Sequence, residues 1–517
     1  MNLHGKHLIA GQALAAQAPS FTGVVAASGQ PLAPGFSEAT AEEVDQALTA
    51  AAAAAEEFAR TGRKHRSDFL QRIAAEIEAL GEPLLARAHE ETGLPLARLT
   101  GERARTCGQL RLFAEVVREG SWMEARIDPA LPERKPLPRP DIRRLLQPLG
   151  PVVVFGASNF PLAFSVAGGD TASALATGNP VVVKGHPAHP GTSEMVAVAI
   201  NRAAAAAKLP PGVFSLLQGK SPETSLRLVR HPLAEAVGFT GSHTAGRALF
   251  DAAAQRPRPI PVSAEMSSLN PVFVLAGALA ERGPALAEEL KNSFTLGVGQ
   301  FCTKPGLVFG VKSPAWEAFA AAVGGLAQKV AAGVMLHPGI AAGFQRGVAG
   351  VSGVEWLAQG TAPVARVTSE VFRARPELAH EIFGPFTLLV TAKDEADLAA
   401  LARALDGQLT ATLQGNAADL AAAGGLVALL EKHSGRLIVN GWPTGVEVCP
   451  AMHHGGPYPA TSDSRFTSVG TAALERFVRP ICYQNFPEDL LPVPLRNRNT
   501  LGILRLVNGQ FTREDVT

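Results

Sequence analysis

Cys302, Glu265 and Asn159 are the residues of this chain best suited to covalent chemistry on a carbonyl. Cys302 ends the glycine-interrupted stretch Gly299-Gln300-Phe301-Cys302-Thr303, just past an amphipathic run over 286–295. Glu265 follows a short apolar strand signal, and Asn159 lies in Gly156-Ala157-Ser158-Asn159-Phe160-Pro161. A thiol attacks a carbonyl, an amide stabilises the developing oxyanion, and a carboxylate activates water. Each residue also has an ordinary reading. A free cysteine is commonly interior, and an isolated glutamate is commonly a surface acid. Spacing alone does not bring the three together.

A second group of residues suits a nucleotide. Phe239-Thr240-Gly241-Ser242-His243-Thr244-Ala245-Gly246-Arg247 follows a strand signal and opens a helix. Backbone N–H groups at a helix start favour a diphosphate, and glycine permits close approach. The pattern is not G-x-G-x-x-G, so taken alone a plain glycine turn between strand and helix is the better reading of it. Lys184 ends the apolar run 181–183, at the carboxyl end of a strand, where open α/β sheets bind ligands. The loop Gly185-His186-Pro187-Ala188-His189-Pro190 holds no Asp or Glu. An acid near the adenosine ribose favours NAD, so its absence leaves room for NADP. His453-His454 invites a metal reading, but zinc-like ligand spacing is missing, and core or solvent-facing histidines are expected.

The elements that must position these residues are legible in part. Thr40 and Glu43 form a capping-box pattern opening an alanine-rich helix, followed by helical stretches over 67–80 and 96–118. Six prolines between 128 and 148 exclude a helix there, and 139–146 suits an edge strand or an extended arm. From residue 150, apolar runs at 151–155, 180–184, 213–218 and 236–240 alternate with helical stretches. That alternation predicts right-handed βαβ crossovers and a doubly wound parallel sheet. A second α/β unit begins near residue 261 and extends to 440, followed by a tail rich in Gly, Pro and Asn.

The bulk properties narrow the class further. A chain of 517 residues, 46% hydrophobic and 18% charged, is expected to form two or three units of a globular enzyme. A net charge of +1 gives no case for nucleic acid or an anionic membrane as partner. Four cysteines without a CxxC pair suggest a reducing compartment. No signal-peptide core or bilayer-length apolar run is present, so a cytoplasmic protein is expected.

Asn159-Phe160-Pro161, Lys184, Phe239-Thr240-Gly241-Ser242, Glu265, Gly299-Gln300-Phe301-Cys302 and Glu381-Ile382-Phe383-Gly384-Pro385 occur in this order across almost the whole chain. In that order the sequence resembles the aldehyde dehydrogenase superfamily. The strings Val166-Ala167-Gly168-Gly169-Asp170-Thr171, His186-Pro187-Ala188-His189-Pro190-Gly191-Thr192-Ser193 and Gly455-Gly456-Pro457-Tyr458-Pro459-Ala460-Thr461 look like one subgroup. That subgroup is the NADP-linked 2-oxoglutarate semialdehyde (2,5-dioxopentanoate) dehydrogenases.

The resemblance implies an α/β fold with a Rossmann-like cofactor domain, a catalytic domain and a small β oligomerisation arm. Mapped onto this chain, these are 1–127 with 149–261, then 262–441, then 128–148 with 442–517. It also implies that Cys302 is the nucleophile, that Asn159 and the Cys302 N–H hold the oxyanion, and that Glu265 activates the water that hydrolyses a thioester. Lys184 would contact the adenosine ribose, and Gly241, Ser242 and Gly246 would form the diphosphate turn. Glu381 would hold the nicotinamide ribose, with Phe383 beside the nicotinamide. NADP is the implied cofactor, with NAD possible and no metal. A small aldehyde is the implied substrate, and a homodimer or homotetramer the implied assembly.

Two departures from the family pattern stand out. Glu265-Met266-Ser267-Ser268 replaces Glu-Leu-Gly-Gly or Glu-Leu-Gly-Ser, and losing glycine at 267 is expected to restrict the swing of Glu265. Pro187 stands where NAD-preferring members often carry Glu. Phe160 and Phe301 adjoin the reacting centre, and Arg105 with Gln109, one helical turn apart, are candidates for a substrate carboxylate. Their ordinary reading is as surface groups on an exposed helix. The competing functions are a broad-specificity aliphatic aldehyde dehydrogenase, a papain-like thiol hydrolase, an acyl-CoA-forming or acyl-phosphate-reducing relative, and a non-catalytic family member. No motif around the histidines supports the hydrolase. Retention of Cys302 and Glu265 argues against the last two.

Overall fold

The computed structural model describes residues 2–516. Its first sheet has seven strands in the order Val262–Glu265, Ala236–Thr240, Val152–Phe155, Val181–Lys184, Phe214–Leu217, His7–Ile9 and Gln12–Leu14. The first five run parallel, His7–Ile9 is antiparallel to its neighbour Phe214–Leu217, and Gln12–Leu14 is antiparallel to His7–Ile9. Val152, Val153 and Val154 are all buried, because helices cover both faces and neither face of such a strand meets water. The order reverses between Val152–Phe155 and Ala236–Thr240. The loops leaving those two strands therefore diverge and open a crevice at their carboxyl ends.

The second sheet also has seven strands, and only its edge strand Glu355–Ala358 is antiparallel. Its central strands Val272–Val274, Leu307–Val311 and Thr387–Ala392 are apolar and almost wholly buried between two further hydrophobic clusters. The first sheet runs on to Glu265, whose strand pairs with Ala236–Thr240. Glu265 thus stands at the border of the two units.

A third, five-stranded sheet joins Val478–Gln484, Ile142–Pro148, Arg126–Asp128, Arg505–Val507 and Gln510–Thr512. Ile142–Pro148 lies inside this sheet, paired on both sides, and is not the edge strand its prolines suggest. Most of those prolines precede the strand and shape the loop leading into it. The helix Gly81–Thr92 and the N-terminal strands were not legible in the sequence. Pro83 occupies the first turn of that helix, where a missing N–H is harmless, and Gly93 caps its end at φ 68°. No helix among the described residues is long and apolar enough to cross a membrane.

Candidate active site

Asn159 lies in the loop that leaves Val152–Phe155 at the crevice. The buried Glu102 carboxylate on helix Leu96–Glu119 anchors that loop, with Oε1 accepting from the N–H groups of Leu162 (2.8 Å) and Ala163 (3.0 Å). Arg98 Nη2 donates to the Asn159 carbonyl at 2.8 Å. The Asn159 side chain is buried, and its Nδ2 donates to the Gln300 carbonyl at 3.1 Å, which leaves its second amide hydrogen unused by that bond. This contact ties the amide to the thiol-bearing turn.

Cys302 is carried by a strained turn. Helix Ala276–Thr295 runs into Leu296–Gly299, where Gly297, Val298 and Gly299 all have positive φ. For Val298, at φ 58°, this is an unfavourable conformation for a β-branched residue. A Cβ at Gly299 would lie 2.4 Å from the Gly384 carbonyl carbon, so glycine alone fits. Asn270 Nδ2 donates to the carbonyls of Cys302 (2.8 Å) and Lys304 (3.0 Å), fixing the turn from the opposite side. The Cys302 N–H has no hydrogen-bond partner among the described residues.

Glu265 meets Cys302 through a residue that sequence reading missed. His454 Nε2 lies 3.0 Å from Glu265 Oε1 and 3.5 Å from Cys302 Sγ. Ser468 Oγ donates to Glu265 Oε2 at 2.7 Å. Burial alone would raise the Glu265 carboxyl, but His454, Ser468 and Cys302 outweigh it and hold it below the usual range. Burial pushes the Cys302 thiol well up, the carboxylates of Glu265 and Glu381 push it further, and Arg105 opposes them. His454 is buried, as a core histidine would be, but it is a member of the site. Its signal was its position directly before the Gly455–Thr461 string. Sequence spacing was the wrong test, because its neighbours Cys302 and Glu265 come from other segments.

The Cys–His contact revives the thiol hydrolase only superficially. In such a dyad a third group orients the imidazole through the nitrogen that faces away from the thiol. Here Glu265 and Cys302 share Nε2, and Nδ1 is buried without a partner.

A cavity of about 700 Å³ opens beside Cys302. Asn159, Lys184, Gly241, Ser242, Glu265, Cys302, Glu381 and Phe383 line it together. Ser242 caps helix His243–Ala254, accepting from Ala245 N–H. Gly246 lies one turn into the helix, away from the wall. A Cβ there would meet Met266 at 2.7 Å, so it serves close packing. Lys184 is buried with no carboxylate in salt-bridge contact among the described residues, and burial lowers it to about 8. Glu38 comes near it from another segment, but its oxygens accept from the N–H groups of Lys220 and Ser221 and from Thr224. An amine at one end, a capped helix start in the middle and a carboxylate near the thiol fit a dinucleotide.

Glu381 is half-buried, and its Oε2 accepts from Ser267 Oγ at 2.6 Å. Burial raises its carboxyl. Ser267 therefore bonds to Glu381, while Glu265 reaches the thiol side of the cavity. Lys304, lowered to about 8 by burial, donates to the carbonyls of Ile382 and Phe386 and so holds the Glu381 loop in place.

On the other side of Cys302 the aromatic rings of Phe160, Phe164 and Phe301 meet edge to face. Arg105 lies over Phe160 and Phe164, and Arg98 over Phe160 and Phe301. The reading of Arg105 and Gln109 as exposed surface groups is corrected. Gln109 is buried, and Arg105 Nε and Nη2 are buried without a partner. Their helix face packs onto the loop after Val152–Phe155, which periodicity alone could not reveal. Among the other cysteines only Cys107 is buried. Cys449 is half-buried and Cys482 exposed, against the ordinary reading of a free cysteine as interior, and all four are unpaired.

A thiol, a hydrogen-bonded carboxylate and an amide facing a dinucleotide-sized crevice make the site of a cysteine-dependent oxidoreductase. The chain belongs to the aldehyde dehydrogenase family, which it matches over residues 17–457. It is 51% identical to alpha-ketoglutaric semialdehyde dehydrogenase 2 of Azospirillum brasilense, covering 99% of this chain and 100% of that one. It is 49% identical to alpha-ketoglutaric semialdehyde dehydrogenase of Acinetobacter baylyi, covering 99% of each. Its fold resembles the crystal structure of a NAD-dependent aldehyde dehydrogenase from Sinorhizobium meliloti, with a TM-score of 0.77 and 21% identity over 93% of this chain and 94% of that one.

Proposed function

We propose that this aldehyde dehydrogenase oxidises alpha-ketoglutaric semialdehyde to 2-oxoglutarate, with NADP preferred over NAD. The observation that carries the substrate is Arg105. Its unpartnered Nε and Nη2 form the edge of a guanidinium that receives a carboxylate side-on, a short distance from the thiol. Buried N–H donors without an acceptor are costly, and a substrate carboxylate would satisfy them. Two relatives spanning the whole chain and named for this substrate add to the reading.

Cys302 attacks the aldehyde carbon as the thiolate, its proton having left to solvent. The tetrahedral oxyanion is held by the free Asn159 amide hydrogen and the unpartnered Cys302 N–H. Glu381 and Phe383, which line the cavity with Cys302, would hold a nicotinamide that supplies the hydride acceptor for that carbon. Glu265, held by His454 and Ser468, then takes the proton of a water that attacks the resulting thioester. His454 keeps the carboxylate aimed at the thiol and away from solvent.

The NADP preference rests on the far end of the cavity. Lys184 and Lys220 stand there with Ser221 and Ser225, while the lining acids Glu265 and Glu381 lie toward the thiol. Assembly as a homodimer or homotetramer through the five-stranded sheet is part of the same proposal, since exposed Leu137, Leu490 and Phe511 lie on or beside it. Four free thiols suit the reducing cytoplasm.

The test is kcat/KM for the semialdehyde, glutaraldehyde and hexanal with each cofactor. The semialdehyde with NADP should lead. Equal efficiency for hexanal would leave a broad-specificity aldehyde dehydrogenase, and a clear preference for NAD would overturn the assignment of the Lys184 end.

A further inference from the structure

Cys302, His454 and Glu265 present a sulfur, a nitrogen and an oxygen that all lie within 4.8 Å of one another. Sγ and Nε2 are 3.5 Å apart, and Nε2 and Oε1 are 3.0 Å apart. A tetrahedral zinc ion with Zn–S of about 2.3 Å and Zn–N and Zn–O of about 2.0 Å needs S···N and N···O separations of about 3.5 Å and about 3.3 Å. Two of the three separations therefore stand within a few tenths of an ångström of a zinc ligand set before any ion arrives, and the third, from sulfur to carboxylate, is at most 4.8 Å. His454 and Glu265 are buried, and Ser468 holds the second Glu265 oxygen, so the ligands start ordered.

We infer that this triad is a reversible binding site for one thiophilic divalent cation, Zn²⁺ being the best match to an S/N/O set, and that the bound ion shuts off the enzyme. The ion replaces two protons on the ligand atoms. The thiol proton leaves to solvent as the S–Zn bond forms, and the imidazole ring proton moves from Nε2 to Nδ1. No electron changes hands. A coordinated thiolate does not attack an aldehyde, and a coordinated carboxylate does not take a proton from water, so one ion blocks both half-reactions.

His454 Nδ1 lacks an acceptor, so the imidazole has no outer partner to strengthen its bond to the metal. The site is thus suited to reversible inhibition and unlike a permanent structural zinc. Binding rests on geometry alone, and only the inhibition rests on the roles proposed above for Cys302 and Glu265.

The test uses the full chain with Cys449 and Cys482 replaced by Ser, which removes the two other accessible thiols. Zn²⁺ is titrated in competition with a chromophoric zinc chelator. One equivalent should bind. Binding should disappear in Cys302→Ala and weaken in His454→Phe and Glu265→Gln by at least the ~10–100-fold that loss of an outer-shell partner alone costs. Zinc should also protect Cys302 from iodoacetamide, and EDTA should restore alkylation. If His454→Phe does not fold, His454→Gln and Glu265→Gln carry the comparison. Absence of binding, or equal affinity in wild type, Cys302→Ala and the His454 variant, overturns the site. Zinc binding in a protein that lacks dehydrogenase activity would leave the site standing and remove the functional reading instead.

Discussion

The two sides of Cys302 differ in how their polar groups are satisfied. On the cavity side most groups already have partners. Ser242 caps a helix, Glu38 is bonded to backbone N–H groups and Thr224, and Glu381 accepts from Ser267. On the aromatic side Arg105 keeps two buried nitrogens without partners, and Arg98 Nη1 is in the same state. A surface complete in itself is shaped by the fold and can serve any member of a family. Buried donors left unpaired are costly, and a group that arrives to meet them removes that cost. In the proposed function the shared chemistry belongs to the crevice and the choice of aldehyde to the side of Phe160 and Phe164.

Disabling the shared side should have the largest effect on every substrate. Replacing Asn159 by Ala is expected to lower turnover by about 10²–10³, the usual loss for one oxyanion donor. Uniform losses for hexanal and the semialdehyde would sharpen the contrast. A loss below tenfold would show that the amide is aimed elsewhere.

Disabling the other side should discriminate. Arg105→Met keeps the packing against Phe160 and Phe164 but removes the cation, and should lower kcat/KM for the semialdehyde by about 10²-fold, as expected for an unpaired buried carboxylate. Hexanal should change by less than about tenfold. An equal fall for both aldehydes would make Arg105 a structural residue.

The smallest effect concerns the cofactor. Lys184 is held at about 8 by burial, so its charge fades as the pH rises above that value. A 2′-phosphate favours the charged amine. NADP affinity should therefore be full below pH 8 and fall by up to about tenfold per unit above it, while NAD affinity changes less. Parallel pH dependence for both cofactors, by fluorescence titration, would detach Lys184 from the 2′-phosphate.

The same contrast governed what could be read from the chain. Cofactor-side residues lie at strand ends and helix starts, where local rules apply. The apolar run 181–183 and the strand–turn–helix around Gly241 each carried their own signal, and the ordered motifs from Asn159 to Pro385 supplied the rest. Residues defined by long-range packing fell under no such local rule. His454 reaches Glu265 across 189 positions of sequence, and the burial of Arg105 depends on how its helix docks on the Asn159 loop. The helix Gly81–Thr92 was hidden because Pro83 and Gly93 punctuate locally while tertiary packing decides. Ser267 looked like a brake on Glu265, and only the fold shows its hydroxyl spent on Glu381.

The central claim is that aldehyde oxidation passes through an acyl group on Cys302 that Glu265 releases. Glu265→Gln separates the two halves. Mixed with NADP and alpha-ketoglutaric semialdehyde, this variant should yield up to one equivalent of reduced cofactor, then stall. Intact-protein mass spectrometry should find the acyl group on Cys302. Unchanged steady-state turnover with an unmodified Cys302 would contradict the account.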